Sequence, residues 1–309
     1  MFFQAAVGQV STFTTIFLGI FIEAAPFLLL GTIASGMVEV FVNREEVVRL
    51  IPRNTVLATL VGALLGLIFP VCECGVVPLT RRLMNKGLPA SAGVAFLLAA
   101  PIVNPVVLAS TYAAYGWGRM LAARVGMGLV VSTTVGLVFS LKADPAQLLR
   151  HPVLAIAGGA ADDLVVRPVT PQLQARIQQA LRIAGDEFFE MGRYLVIGAL
   201  LAALLQTVIP QSALKTLGAS PVLSVLVMLL LAYVLSVCST VDAFLSLTFV
   251  NTFTTGSILA FLVFGPMVDM KSTLMFSRVF KRKYVAYLVV LPFLMVSVLT
   301  IFINSHLSW

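Results

Sequence analysis

The chain has 309 residues, 60% of them hydrophobic and 11% charged, with a mean hydropathy of +1.03. A soluble domain carries about 25% charged residues, so the composition excludes an ordinary soluble protein and indicates an all-α polytopic membrane protein. The formal net charge of +7 does not indicate nucleic acid, because Lys and Arg fall in short clusters between apolar runs, as in cytoplasmic loops and membrane interfaces. The clusters are Arg44, Arg49 and Arg53; Arg81, Arg82 and Lys86; and Lys271, Arg278, Lys281, Arg282 and Lys283.

A span needs roughly 20 apolar residues. The first runs from about Val10 to Val42, with Glu23 and Pro26 in its middle. Further runs cover Thr55 to Leu79, Pro89 to Tyr115, Met120 to Leu141, Phe188 to Ile209, Pro221 to Val250, Ser257 to Phe276 and Tyr284 to Ile303. That makes about 8 transmembrane helices. Two of the runs are broken inside, and re-entrant segments raise the count to as many as 10. No cleavable signal peptide is evident, since the N-terminus lacks a basic region before its apolar stretch. The expected location is the inner or plasma membrane, as a multi-pass protein in contact with the bilayer.

A polar linker, residues 142–186, divides a first membrane repeat (1–141) from a second (187–309). It holds Pro145, Pro152, Pro168 and Pro171, and its end reads as an amphipathic helix. Leu173, Ile177, Leu181, Ala184 and Phe188 share one face, and a position at the membrane surface is expected.

The two parts echo each other. "AFLLAAPIVNP" from Ala95 matches "AFLVFGPMVDM" from Ala260 in register, and "VCEC" at Val71 has a counterpart in "VCST" at Val237. Such duplication, with substrate bound where discontinuous helices meet, is the layout of many secondary transporters. Loop charges oppose each other between the parts, which favours inversion by the positive-inside rule. Inversion requires an odd number of crossings per repeat, reached through a re-entrant hairpin.

Polar groups inside apolar runs are costly unless they face a cavity or a partner. The candidates for substrate binding are Cys72, Glu73, Cys74, Asn104, Cys238, Asp242 and Asp269. Those for proton or ion coupling are Glu23, Glu73, Glu190 and Asp269. Pro70 and Gly75 flank the first cysteine motif, Pro101 and Pro105 flank Asn104, and Pro266 precedes Asp269. The polar groups therefore stand where a helix is hardest to continue. Two thiols at i and i+2 lie about 200° apart on a regular helix and converge only in an unwound turn. There, Cys72 and Cys74 with Cys238 would suit a soft metal or metalloid. A buried cysteine is also often only a small hydrophobe, and carboxylates also cap broken helices. Gly62 and Gly66 form a GxxxG, a pattern for close helix packing.

No nucleotide-binding loop, paired-histidine metal motif or nucleophile with a histidine base is present. The expectation is a transporter and not an enzyme, with no cofactor. "PVCECGVVPLTRRLMNKGLPASAGVAFLLAAPIVNPVVL" and "FLVFGPMVDMKSTLM" resemble the predicted permease family that includes the bacterial organoarsenical efflux permeases. The resemblance covers nearly the whole chain outside the linker. It implies efflux of a thiophilic metalloid or soft metal. Members often read Cys-Ser-Cys-Gly where this chain has Cys72-Glu73-Cys74-Gly75, and the added charge points toward a cationic metal. Two alternatives stand beside this reading: a permease for another small solute with structural cysteines, and an intramembrane thiol redox protein. A homo-oligomer is possible.

Overall fold

The computed structural model describes residues 2–69, 71–141, 148–149, 173–208 and 220–306. Pro70, residues 142–172 of the predicted linker (apart from Leu148 and Leu149) and residues 209–219 lie outside them. The regular elements of the described part are all helices, with one isolated bridge, Leu149 to Phe280.

Thirteen α-helices follow in order: α1 Phe2–Phe41, α2 Arg44–Leu50, α3 Thr55–Leu64, α4 Glu73–Asn85, α5 Ala90–Val103, α6 Pro105–Tyr115, α7 Arg119–Ser140, α8 Leu173–Val208, α9 Pro221–Leu235, α10 Asp242–Leu247, α11 Thr255–Met267, α12 Met270–Val279 and α13 Arg282–His306. Among the described residues, six stretches are long and apolar enough to cross a membrane: Gln9–Phe41, Ala90–Tyr115, Arg119–Ser140, Leu173–Thr207, Thr255–Val279 and Arg282–His306. Thr55–Leu67 and Val222–Leu235 are apolar but shorter.

The two shorter helices explain two of the eight predicted runs. Thr55 to Leu79 and Pro221 to Val250 do not pass through the bundle but turn back inside it. α3 runs parallel to α5, with Gly62 against Ala92 and Gly66 against Ala100. α5 begins directly after α4 ends, so α3 starts at the end of the bundle to which α4 returns. The GxxxG glycines provide that close approach. In the second half, α9 likewise runs parallel to α11. Ser224 donates to Ser257 at 2.9 Å near their starts, and Ala232 lies beside Gly265 further along.

α1 and α8 pack against each other along much of their length. They are antiparallel: Gly36 meets Ala180 and Ala184, while Ile20 clusters with Ala199 and Ala202. α8 also changes one expectation. The amphipathic segment and the fifth span form a single helix, Leu173–Val208, and not a surface helix followed by a span. Leu173, Ile177 and Leu181 are exposed, whereas Ala180, Ala184 and Glu187 face inward.

Most of the basic residues gather at one end of the bundle, and acidic side chains partner several of them there. Lys86 donates to the carbonyls of Glu39 and Val42 at 2.8 Å each. Arg82 lies 3.7 Å from Glu39 and 3.5 Å from Glu187. Ser35 donates to Glu187 at 2.5 Å. Two basic residues stand inside the bundle instead. Lys271, expected in a basic loop, and Arg124 are both fully buried.

Candidate functional site

The breaks have local causes. Proline forces the preceding residue out of the helical region and suits the first position of a new helix. Pro105 does both: Asn104 is extended (ψ 132°), ends α5 and caps α6, accepting from the Val106 N–H at 2.9 Å. Its amide also donates to the Val71 carbonyl at 3.2 Å, so it joins the second break of the first half to the first. In the second half Asp269 holds the matching position. It caps α12 by accepting from the Ser272 N–H at 2.6 Å, with the Ser272 hydroxyl returning to the Asp269 N–H.

The cysteine breaks lie deep. Cys72 caps α4 in an extended conformation. Cys72, Cys74 and Cys238 are all buried and free. The Cys72 thiol is close enough to those of Cys74 and Cys238 to interact with both. Thr240 donates to the Cys238 sulfur at 3.6 Å. Among the described residues, no three or more His, Cys, Asp and Glu side chains are gathered in an arrangement that could hold a metal ion.

Beside the thiols is an ion cluster. Lys271 Nζ lies 2.9 Å from Glu73 Oε1 and 3.4 Å from Asp269 Oδ2, and donates to the Ser236 carbonyl at 2.7 Å. All three charged side chains are almost completely buried. Ser236 ends α9 with φ 49° and ψ 40°, a left-handed conformation uncommon for a residue with a side chain. Such outliers concentrate at functional sites. Glu23 on α1 is within electrostatic reach of Lys271 and Glu73.

Close backbone approach makes this cluster possible. A Cβ on Gly31 of α1 would lie 2.2 Å from the Gly75 Cα, and one on Gly198 of α8 would lie 2.7 Å from the Lys271 Cα. The two long helices thus admit the starts of α4 and α12 through glycines.

Asp242 opens α10 as Glu73 opens α4. Its partner is Arg124 of α7, which donates to Asp242 Oδ2 at 2.6 Å and to Thr111 Oγ1 at 2.8 Å. Nearby, Tyr115 and Ser246 share a hydrogen bond of 2.7 Å.

Of the residues singled out from the sequence, Cys72, Glu73, Cys74, Cys238 and Asp269 come together, with Glu23 close to them. Asn104 is tied to the same break. Asp242 belongs to a neighbouring buried pair. Glu190 is elsewhere: at the basic end it bridges Arg81 (3.4 Å) and Arg278 (2.8 Å). Sequence reasoning missed Lys271 and Arg124. The available signal was that each stands inside a run drawn as a span, where a charge is expensive. Grouping Lys271 with the basic residues after it hid that.

A family model described as "Predicted permease" matches residues 9–305. The "UPF0718 protein YcgR" of Bacillus subtilis is 46% identical over 277 residues, covering 89% of this chain and 91% of that protein. A Streptococcus mutans protein named "Putative two-component membrane permease complex subunit" is 38% identical over 272 residues, covering 87% of each. The Escherichia coli "UPF0718 protein YraQ" is 27% identical over 103 residues, covering 33% of this chain and 30% of that protein. No solved structure matches the chain.

Proposed function

Because the chain belongs to this predicted permease family and is a multi-pass membrane protein, we propose that it is a secondary transporter that exports a thiophilic metalloid through a buried site shared by its two halves. The observation that carries this reading is the proximity of two buried free thiols, Cys72 of the first half and Cys238 of the second. A trivalent arsenical with one organic substituent needs only two thiolates, so a thiol pair suffices where a three-ligand metal site is not gathered. A soft sulfur donor matches such a centre better than oxygen does.

The two halves are inverted repeats in this reading. Each contributes one long helix (α1 or α8), one hairpin that enters and returns (α3–α4 or α9–α10), one broken crossing (α5–α6 or α11–α12) and one further crossing (α7 or α13). That gives three crossings per half, an odd number. The basic end is cytoplasmic by the positive-inside rule. Substrate enters where the starts of α4, α6, α10 and α12 converge, and the halves rock about it. The Streptococcus mutans relative's name favours a second subunit for this protein too. Co-purification of a tagged copy from its native membrane tests that.

The deciding experiment is transport into everted vesicles of a trivalent organoarsenical, Cu(I) and Zn(II). Wild type is expected to move the arsenical, and Cys72→Ser and Cys238→Ser to lose it at equal expression. If wild type moves none of the three, the thiophilic reading falls and a permease for another small solute replaces it. If wild type moves one and the serine variants match it, the thiols are structural.

A further inference from the structure

The Glu73–Lys271–Asp269 cluster is electrically incomplete. Two carboxylates face one ammonium, and the carboxylate of Glu23 lies nearby. Glu73 is 2% exposed and Asp269 1%, so water does not screen the excess. Buried charges need full partnering; Glu73 Oε2 and Asp269 Oδ2 accept no hydrogen bond, and since the same holds for Asp242 Oδ1 it is the charge count that sets this cluster apart. The neighbouring Arg124–Asp242 pair is balanced one to one.

The shell around Lys271 Nζ also has a recognisable chemistry. It consists of two carboxylate oxygens and a main-chain carbonyl. That carbonyl comes from the unwound end of α9, turned inward by the left-handed Ser236. Carboxylates and unwound-helix carbonyls are the oxygen ligands that membrane transporters offer to small cations. Lys271 is tethered at the first turn of α12 and reaches the site on a flexible four-carbon stem, as a compact point charge. The glutamate comes from one half and the aspartate from the other, so an occupant of this shell holds the halves together.

We infer that Glu73, Asp269 and the Ser236 carbonyl form a site for a monovalent alkali cation that couples to transport, and that the Lys271 ammonium is its resident stand-in in this conformation. The ion enters as Lys271 withdraws. The site then keeps its positive charge while the lysine is free to move with α12. The inference rests on the permease reading for its coupling role alone and does not require a thiophilic substrate.

The test is a binding measurement, so its failure is distinct from a failure of transport. Purified full-length protein is unfolded thermally in NaCl, KCl and N-methyl-D-glucamine chloride at constant ionic strength. A ligand bound only by the native state raises the midpoint by mass action. Wild type is expected to show saturable stabilisation by Na+ or K+ and none by the bulky cation. Removing an internal competitor raises apparent affinity by the reciprocal of the fraction of sites it had left open, so if the lysine leaves about a tenth open Lys271→Met half-saturates at a concentration about tenfold lower. Lys271→Arg, a permanent cation with a fork that grips carboxylates, shifts half-saturation the opposite way. Glu73→Gln and Asp269→Asn are expected to abolish the effect. If Lys271→Met does not purify, equilibrium binding of radioactive sodium or the potassium analogue rubidium to wild type and Lys271→Arg provides the same comparison. Two results would overturn the proposal: no discrimination between alkali and bulky cations in wild type and the lysine variants, or discrimination that survives in Glu73→Gln/Asp269→Asn.

Discussion

Glu73 and Asp242 are each the first residue of a short helix that follows a cysteine break, α4 and α10. They have come to different ends. Asp242 meets Arg124, a cation from the other half whose guanidinium also donates to Thr111. The pair is neutral, fully buried and held from two sides. Glu73 meets Lys271, also from the other half, but must share it with Asp269. The first arrangement has the character of a latch and the second that of a site with an exchangeable occupant. A carboxylate at a helix break is therefore not informative alone. What distinguishes the two is the number and kind of cations brought to it.

The largest effect expected is on the latch. Arg124→Leu leaves Asp242 buried without its partner, a change that typically costs about 3–5 kcal/mol. A sharply lowered unfolding midpoint in detergent is the expected readout. Arg124→Leu/Asp242→Leu should recover much of that loss, since apolar replacement of a whole buried pair is often neutral or better. A double variant no more stable than the single one would break the comparison, because the carboxylate would then not be the source of the penalty.

The supporting glycines come next. Gly31→Val inserts a side chain where α1 meets the Gly75 backbone, and overpacking of this kind costs about 1–3 kcal/mol. Because the contact lies beside Cys74, transport is expected to fall more than stability does. Equal activity at equal expression would show that the start of α4 is not held by this contact.

Exchange of the two cations sharpens the contrast. Arg124→Lys removes the fork that contacts both Asp242 and Thr111 and is expected to destabilise. Lys271→Arg keeps its charge and should leave the unfolding midpoint in N-methyl-D-glucamine chloride nearly unchanged while transport drops. If both exchanges acted alike on stability and transport, the two carboxylates would play one role.

The smallest effect on stability is expected from Cys72→Ser, which keeps the size of the side chain. A shift of about 1 kcal/mol is expected, the size of a single hydrogen-bond change, because the new hydroxyl must find a partner in a buried place. The same variant should fail to move the arsenical.

Much of this organisation is legible in the sequence because proline and composition act locally. Pro105 dictates the break at Asn104, and the apolar runs mark where helices lie in lipid. The matching motifs at Ala95 and Ala260 point to the two breaks that Asn104 and Asp269 cap. The rest depends on contacts distant in sequence. Whether the run at Thr55 crosses or returns is set by its packing along α5, not by its hydropathy. Lys271 reads as a surface cation because basic residues follow it, while its burial depends on Glu73 from the other half and on Gly198 admitting its backbone. Glu190 had the same apparent standing as Glu23, yet the antiparallel packing of α1 and α8 leaves it among the arginines of the basic end.

The central claim is that each half supplies a thiol to one buried site, and it can be tested by cross-linking. A protease site is placed in the segment between Arg150 and Pro171, and Cys74 is changed to Ser, leaving Cys72 and Cys238 as the only thiols. The protein is treated in membranes with a mild oxidant or a short thiol-bridging reagent and then cleaved. The account predicts that the two halves stay joined on a denaturing non-reducing gel, that reductant separates the oxidised pair, and that Cys238→Ser prevents the link. Halves that separate although both thiols remain reactive to a small alkylating reagent would contradict it.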